Sequence, residues 1–152
     1  LAAHYAVAVD SRDLDALVAL FVDDVRVGRD TTGRAALRDA FADSLSKVGV
    51  SIINVGTHAI DLIDDDHATG LVYCKGEIEE PPGSGSWIHQ AILYRDTYER
   101  RDGRWHFVRR IHELWYGHQV PSPLDQPPAN WPTSSWASWG RFWGDSTPDP
   151  NA

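Results

Sequence analysis

The stretch HYAVAVDSRDLDALVALFVDD, residues 4–24, sets one acidic residue where an apolar run stops and a second begins. Asp10 has a plain structural use at that point, ending one helix and helping to open the next. It also has a chemical one. A carboxylate at a helix C-terminus meets the negative pole of the helix dipole, and burial beside Val7 and Val9 disfavours its charge further. Both effects raise its pKa toward that of a useful general base.

Other polar clusters offer less chemistry. Asp64, Asp65 and Asp66 are consecutive and lack the alternating spacing of a calcium loop, so "DDDH" at 64–67 reads as a solvated turn. Arg100, Arg101 and Arg104 surround a hairpin tip with Glu99 and Asp102 among them, and they form no clear anion site. Cys74 is the single cysteine, unable to form an internal disulfide and without an activating neighbour; a buried small thiol is its expected state. His4, His67, His89, His106 and His118 have no matched partner, and no Cys/His spacing suggests zinc. The chain has no Gly-rich phosphate loop and no Gly-x-Ser-x-Gly elbow.

The secondary-structure pattern around these residues divides the chain in two. Leu1 to Val9 reads as the end of a helix. Leu14, Leu17, Val18 and Phe21 recur at helical spacing and predict a second, with Ser11 or Asp13 as its N-cap. Val25 to Val27 is expected as a short strand. Leu37, Phe41, Leu45 and Val48 predict a third helix over 34–48, with Gly49 in the place of a C-terminal glycine. Beyond it, β-branched and aromatic residues fill four stretches, 50–63, 68–80, 87–100 and 104–116, joined by connectors short enough for antiparallel neighbours. Helices first and a meander afterwards predict an α+β fold with the helices on one face of a curved antiparallel sheet. From His118 onward Pro, Ser and Trp dominate; Trp136, Trp139 and Trp143 could line a short helix packed on the domain or on a neighbouring subunit, the alternative being a lid over a ligand pocket.

A chain of 152 residues is the size of one domain. Its net charge of -8 argues against a nucleic-acid partner, since 14 basic residues face 22 acidic ones. The longest uninterrupted apolar stretch, Ala16 to Val22, is far short of the roughly 20 residues a membrane helix needs. Together with the lone cysteine this fits a reducing cytoplasm. The chain opens at Leu1 and contains no methionine, so its natural N-terminus is expected to lie upstream.

In order along the chain, HYAVAVDSRDLDALVALFVDDV, TTGRAALRDAF, INVGTHAIDLIDDDHATG and YRDTYERRDGRWHFVRRIHELW resemble the SnoaL-like domain of the nuclear transport factor 2-like superfamily. The resemblance covers residues 1 to about 116 and implies a cone-shaped curved sheet closed by three N-terminal helices around an apolar pocket, usually without a metal or organic cofactor. Members include dehydratases, a dehydrochlorinase, polyketide cyclases, ketosteroid isomerases and small subunits of ring-hydroxylating dioxygenases. The expected division is a domain over 1–117 and a Pro/Trp-rich tail over 118–152.

The resemblance also assigns roles to individual residues. Asp10 matches the catalytic aspartate of the dehydratase-like members. The family's histidine and the asparagine four residues after it are exchanged here, as Asn54 and His58; residues four apart on a regular strand share a face, so both are expected to point inward. Arg110 matches an arginine that helps hold a leaving anion, with His112 on the same face. Alternation alone predicts the reverse for that pair, because Trp105, Phe107, Ile111 and Trp115 make the odd face the more apolar one. The family register also turns Ile92 and Tyr94 inward, as apolar wall and hydrogen-bond donor, with Tyr5 a weaker candidate of the same kind. The function expected is a lyase or isomerase using acid/base groups on a mostly apolar cyclic molecule such as a polyketide, terpenoid, steroid or aromatic intermediate, with Asp10, His58, Arg110 and His112 as its catalytic groups. The alternative is a non-catalytic binding or assembly subunit. No nucleic-acid or membrane partner is expected, and self-association as a homodimer or homotrimer is.

Overall fold

A computed structural model describes residues 1–122, and a compact unit spans Leu1–Pro121. Helices α1 (Ala2–Asp10) and α2 (Leu14–Ala19) are followed by a two-residue strand pair, β1 (Arg26–Val27) with β2 (Thr31–Thr32), and by α3 (Arg34–Leu45). Four long strands then run as a meander: β3 (Ser51–Leu62), β4 (His67–Glu79), β5 (Trp87–Arg101) and β6 (Arg104–Val120). They form one antiparallel sheet in the order β3-β4-β5-β6, so the α+β expectation holds.

Between α1 and α2 the chain turns through Arg12, whose φ of 59° lies in the left-handed region, and Asp13 rather than Ser11 caps α2 by accepting from the Ala16 N–H at 2.9 Å. After α2 the backbone docks on the sheet. The Val22 N–H donates to the Phe107 carbonyl at 3.0 Å and the Phe107 N–H to the Leu20 carbonyl at 2.8 Å, which ties the segment after α2 to β6 near its start. Leu17, Val72 and Phe107 are the largest fully buried side chains, and around them Tyr5, Phe21, Phe41, Tyr94 and Tyr98 fill the helix-covered end of the sheet.

Three details differ from the sequence reading. Helix α3 stops at Leu45, short of Val48, and Gly49 does not cap it; the Gly49 N–H instead donates to the Glu79 carbonyl at 2.8 Å and extends the β3–β4 edge. Residues 31–32 form a strand where none was expected. Strand β6 continues to Val120, so a boundary at 117 falls inside a strand: the main-chain pairing with β5 runs on to Trp87↔Val120. The expected tryptophan helix and the packing of the tail lie outside the described residues.

Bulges set which residues share a face. Between Val55 and His58 strand β3 carries one residue more than β4, and β6 carries one extra opposite Thr97/Tyr98 and another opposite Ala91/Ile92. Each extra residue bends its strand and reverses the parity of the residues beyond it.

Candidate active site on the inner face of the sheet

The helix-facing side of β4 is marked by buried Ala68, Gly70, Val72, Cys74 and Gly76. Their partners on β5 are Tyr98, Asp96, Tyr94, Ile92 and Gln90. On β6 the register continues through Phe107, opposite Tyr98, to Arg110, opposite Asp96, and His112, opposite Tyr94. Phe107 and Arg110 share this face although one is odd and the other even, because Val108 is the extra residue of a bulge. The alternation that predicted Arg110 and His112 outward is thereby overturned.

The β3 bulge corrects the other pairing. Asn54 stands opposite Lys75, on the outer side, whereas His58 stands opposite Val72, on the inner side. The two do not share a face, because residues 56 and 57 take up one extra position between them. Asn54 is therefore turned away from the place where it was expected to line a pocket.

At the centre of the inner face lies an ion pair. Arg110 donates from Nε to Asp96 Oδ1 at 2.8 Å and from Nη2 to Asp96 Oδ2 at 2.6 Å, and the two side chains are 5% and 0% exposed. The guanidinium carbon sits 4.3 Å from the ring centre of Tyr5, 4.4 Å from that of Tyr94 and 4.2 Å from that of Phe107. Three ring faces on a desolvated cation contribute on the order of 2 kcal/mol or more. Burial pulls the Arg110 pKa down, but the hydrogen bonds and charge of Asp96 outweigh it, and the net shift is upward.

From this pair a hydrogen-bonded chain leads outward. The Tyr98 hydroxyl donates to Asp96 Oδ2 at 2.7 Å, and His58 Nε2 lies 3.0 Å from the Tyr98 oxygen. Burial first, and then the bond to Asp96, push the Tyr98 pKa far up, so the phenol stays protonated. His58 is exposed at the far end of the chain. Partial desolvation lowers its pKa despite the charge of Asp96.

Asp10 belongs to a different cluster. Its Oδ2 accepts from the Ile53 N–H at 2.9 Å and its Oδ1 from the Ser51 hydroxyl at 3.2 Å, so the half-buried carboxylate closes the free edge of β3 at its start. Arg12 reinforces the joint, donating from Nη1 to Ser51 Oγ at 2.7 Å and to the Val9 carbonyl at 2.6 Å, and from Nη2 to the Gly49 carbonyl. Desolvation raises the Asp10 pKa against the opposing bonds from Ile53 and Ser51. The direction is the one expected of a partly buried carboxylate. Among the described residues no hydrogen bond joins Asp10 to His58, Arg110 or His112.

The remaining candidates gather on the inner face. Tyr5 of α1 and Tyr94 of β5 meet edge to face at 5.7 Å, and both are buried with pKa values raised, first of all by desolvation. Ile92 is buried in the same layer. His112 is exposed, 5.4 Å from the Tyr94 ring, with its pKa lowered by partial desolvation. Arg110, Tyr5 and Tyr94 are thus brought together, His58 is linked to them through Tyr98, and Asp10 and Asn54 stand apart.

Asp96, Tyr98 and Ser51 were not anticipated. A signal for the first two was present: Tyr94, Asp96 and Tyr98 alternate along one strand, and a carboxylate placed between two inward aromatics needs a cation, which Arg110 supplies. A polar cleft of about 460 Å³ lies elsewhere, at the β5–β6 hairpin, lined by Val22, Asp23, Arg34, Arg101, Asp102, Arg104 and His106. Its arginines are occupied in part, Arg34 by Asp23 and Arg101 by Glu99 and Asp24. Asp64 of the acidic turn accepts from the Asp66 N–H at 2.8 Å and faces His67 Nδ1 at 2.9 Å. No group of three metal-ligating side chains occurs among the described residues. None of the helices described is long and apolar enough to cross a membrane.

Solved structures share this architecture. A hexachlorocyclohexane dehydrochlorinase (LinA) type 2 superposes with a TM-score of 0.71 at 20% identity, over 85% of this chain and 90% of its own. LinA itself gives 0.71 at 22% identity, over 84% and 90%. A scytalone dehydratase-like protein of Novosphingobium aromaticivorans DSM 12444 gives 0.64 at 19% identity, over 82% and 88%. At these identities the likeness establishes the fold alone. No curated protein sequence matches the chain. The SnoaL-like domain model matches residues 1–111. On that match, and on a helix-covered antiparallel sheet with its polar groups turned inward, the chain belongs to the SnoaL-like domain family of the nuclear transport factor 2-like superfamily.

Proposed function

We propose that the protein is a lyase or isomerase that uses its own acid/base side chains on a mostly apolar, cyclic small molecule. The observation that carries this is the Arg110–Asp96 pair, buried to 5% and 0% exposure inside an aromatic layer and connected through Tyr98 to an exposed imidazole. A buried ion pair adds little to stability compared with apolar packing. A preorganised charge next to titratable groups on an inward face is a recurrent catalytic arrangement. The aromatic and aliphatic side chains of the same face favour an apolar substrate over a highly charged one, as does the overall charge of -8 for any anion.

Three probes separate the reactions in view: a cyclic β-hydroxy ketone for dehydration, a cyclic β,γ-unsaturated ketone for double-bond shift, and a chlorinated cyclohexane for dehydrochlorination. Turnover of at least one is expected, with a loss of about 10²-fold or more in one of Asp10→Asn, His58→Gln and His112→Gln. The second reading, a binding subunit, is favoured by the packing of Tyr5, Phe21, Phe41, Tyr94 and Phe107 over the helix-covered end of the face. Binding of the probes without turnover by the full chain would establish it instead.

We also propose self-association through the outer face of the sheet. Tyr73 and Trp115 meet there edge to face at 5.4 Å while 41% and 54% exposed, and Tyr116 beside them is 59% exposed.

A further inference from the structure

We propose that His58 is the general base of the inner face, and that Tyr98 and Asp96 are positioning residues that select its tautomer. The inference rests on the enzyme reading above and assigns its base.

Donors and acceptors along the chain from Asp96 fix the tautomer. Tyr98 has one hydroxyl proton, and Asp96 Oδ2 at 2.7 Å takes it, since a carboxylate held by Arg110 through both oxygens has only acceptors to offer. The Tyr98 oxygen is then left as an acceptor toward His58. Of the two ring nitrogens, Nε2 is the one that lies 3.0 Å from that oxygen, so Nε2 must carry the proton. The neutral ring with hydrogen on Nε2 has its lone pair on Nδ1, which has no hydrogen-bond partner among the described residues on an exposed side chain. The geometry therefore presents a base, aimed away from the ion pair and anchored to it through a neutral phenol. Gly70 makes this possible: a Cβ there would come within 2.8 Å of both the Tyr98 ring and its hydroxyl.

The step balances without a co-reactant. Nδ1 takes a proton from the carbon next to a ring carbonyl; the C–H electron pair becomes the enolate, and the imidazolium keeps its Nε2–H on Tyr98. Returning the Nδ1 proton to a different carbon gives an isomer. Giving it to a β-hydroxyl as that group leaves gives an enone and water. In either case His58 ends neutral with hydrogen on Nε2, and Tyr98 and Asp96 end as they began. Tyr98 exchanges no proton with the substrate, so its contribution is to hold the ring and stabilise the cation through Asp96.

The test reads the tautomer directly, by long-range proton–nitrogen correlation on the ¹⁵N-labelled full chain near neutral pH, with His58→Gln identifying the His58 signals among the seven histidines. Gln can place an N–H where Nε2–H stood, so the bond to Tyr98 can still form, and it supplies no basic nitrogen. The expected result is Nε2 protonated and Nδ1 unprotonated in the native chain, a tautomer mixture in Tyr98→Phe, and a fall in kcat of about 10²-fold or more in His58→Gln with KM little changed. Should His58 carry its proton on Nδ1, or keep its tautomer in Tyr98→Phe, the assignment is overturned while the enzyme reading stands on whatever turnover remains. The expected tautomer together with no turnover of any cyclic probe overturns the enzyme reading and, with it, the base.

Discussion

Asp96 and Arg110 stand opposite each other on neighbouring strands and are joined by two hydrogen bonds of 2.8 and 2.6 Å, with almost no surface exposed. Removing one partner strands the other charge in an apolar layer, which costs about 3–5 kcal/mol, whereas removing both at similar volume costs far less. Asp96→Leu and Arg110→Met should each be strongly destabilised in urea unfolding. The double variant should recover most of the loss; if the two changes simply add, the pair is not the unit described.

Gly70 faces Tyr98 at a distance that admits no side chain. The tyrosine ring is packed on Phe107 with centroids 5.4 Å apart, so it cannot yield freely to a methyl group. Gly70→Ala should therefore cost about 1–3 kcal/mol and move the His58 signals in the same sense as Tyr98→Phe. An unshifted His58 spectrum in a folded Gly70→Ala chain would show that Tyr98 does not hold the ring.

His58 and His112 give stability a pH dependence opposite to that of Asp10. Desolvation lowers the folded-state pKa of both His58 and His112, so the unfolded chain takes up the proton first as pH falls. Their contribution is complete above the ordinary histidine value of about 6.5 and is lost as pH falls through the lower folded values. Asp10 is raised by desolvation, so its contribution is present below the ordinary value of about 3.9 and is lost as pH rises through the folded value. Between about pH 7 and pH 5, where His67, raised by its bond to Asp64, contributes in the opposite sense, unfolding free energy should fall further in the native chain than in a His58→Gln/His112→Gln chain. Asp10→Asn should steepen the decline in the more acidic range, where the raised carboxyl would otherwise take up its proton.

Outer-face assembly has its own check. Trp115→Glu places a charge among Tyr73 and Tyr116 without touching the inner face. Light scattering at micromolar concentration should show a dimer or trimer for the native chain and a smaller species for the variant. A native monomer would rule the interface out.

Much of this architecture was legible from the residues. Leu14, Leu17 and Val18 at helical spacing predicted a helix, and short connectors such as "RDG" at 101–103 predicted a meander; the structure contains both. The site was less legible, for one physical reason. Strand periodicity assumes that every residue consumes half a repeat, and a bulge breaks that assumption without altering composition. Residues 56–57 turn Asn54 outward while His58 stays inward, and Val108 brings Arg110 to the side of Phe107. Neither bulge is marked by a run of turn residues. Gly56 offers a partial mark: a Cβ on it would meet the Tyr73 carbonyl oxygen at 3.0 Å. Asp10 was found by its helix-end position, but the acceptor role it plays for Ser51 and Ile53 depends on a strand far off in sequence, which local pattern does not reach.

Removal of protons from carbon at the inner face can be measured by solvent deuterium exchange, without knowledge of the natural substrate. Cyclic ketones incubated with the native chain in D₂O and followed by proton NMR should lose the hydrogens next to the carbonyl faster than in buffer, with a rate that saturates in ketone. The same loss should fall about 10²-fold in His58→Gln. Saturable binding of those ketones with exchange no faster than in buffer would rule out such a base and leave a binding protein with this fold.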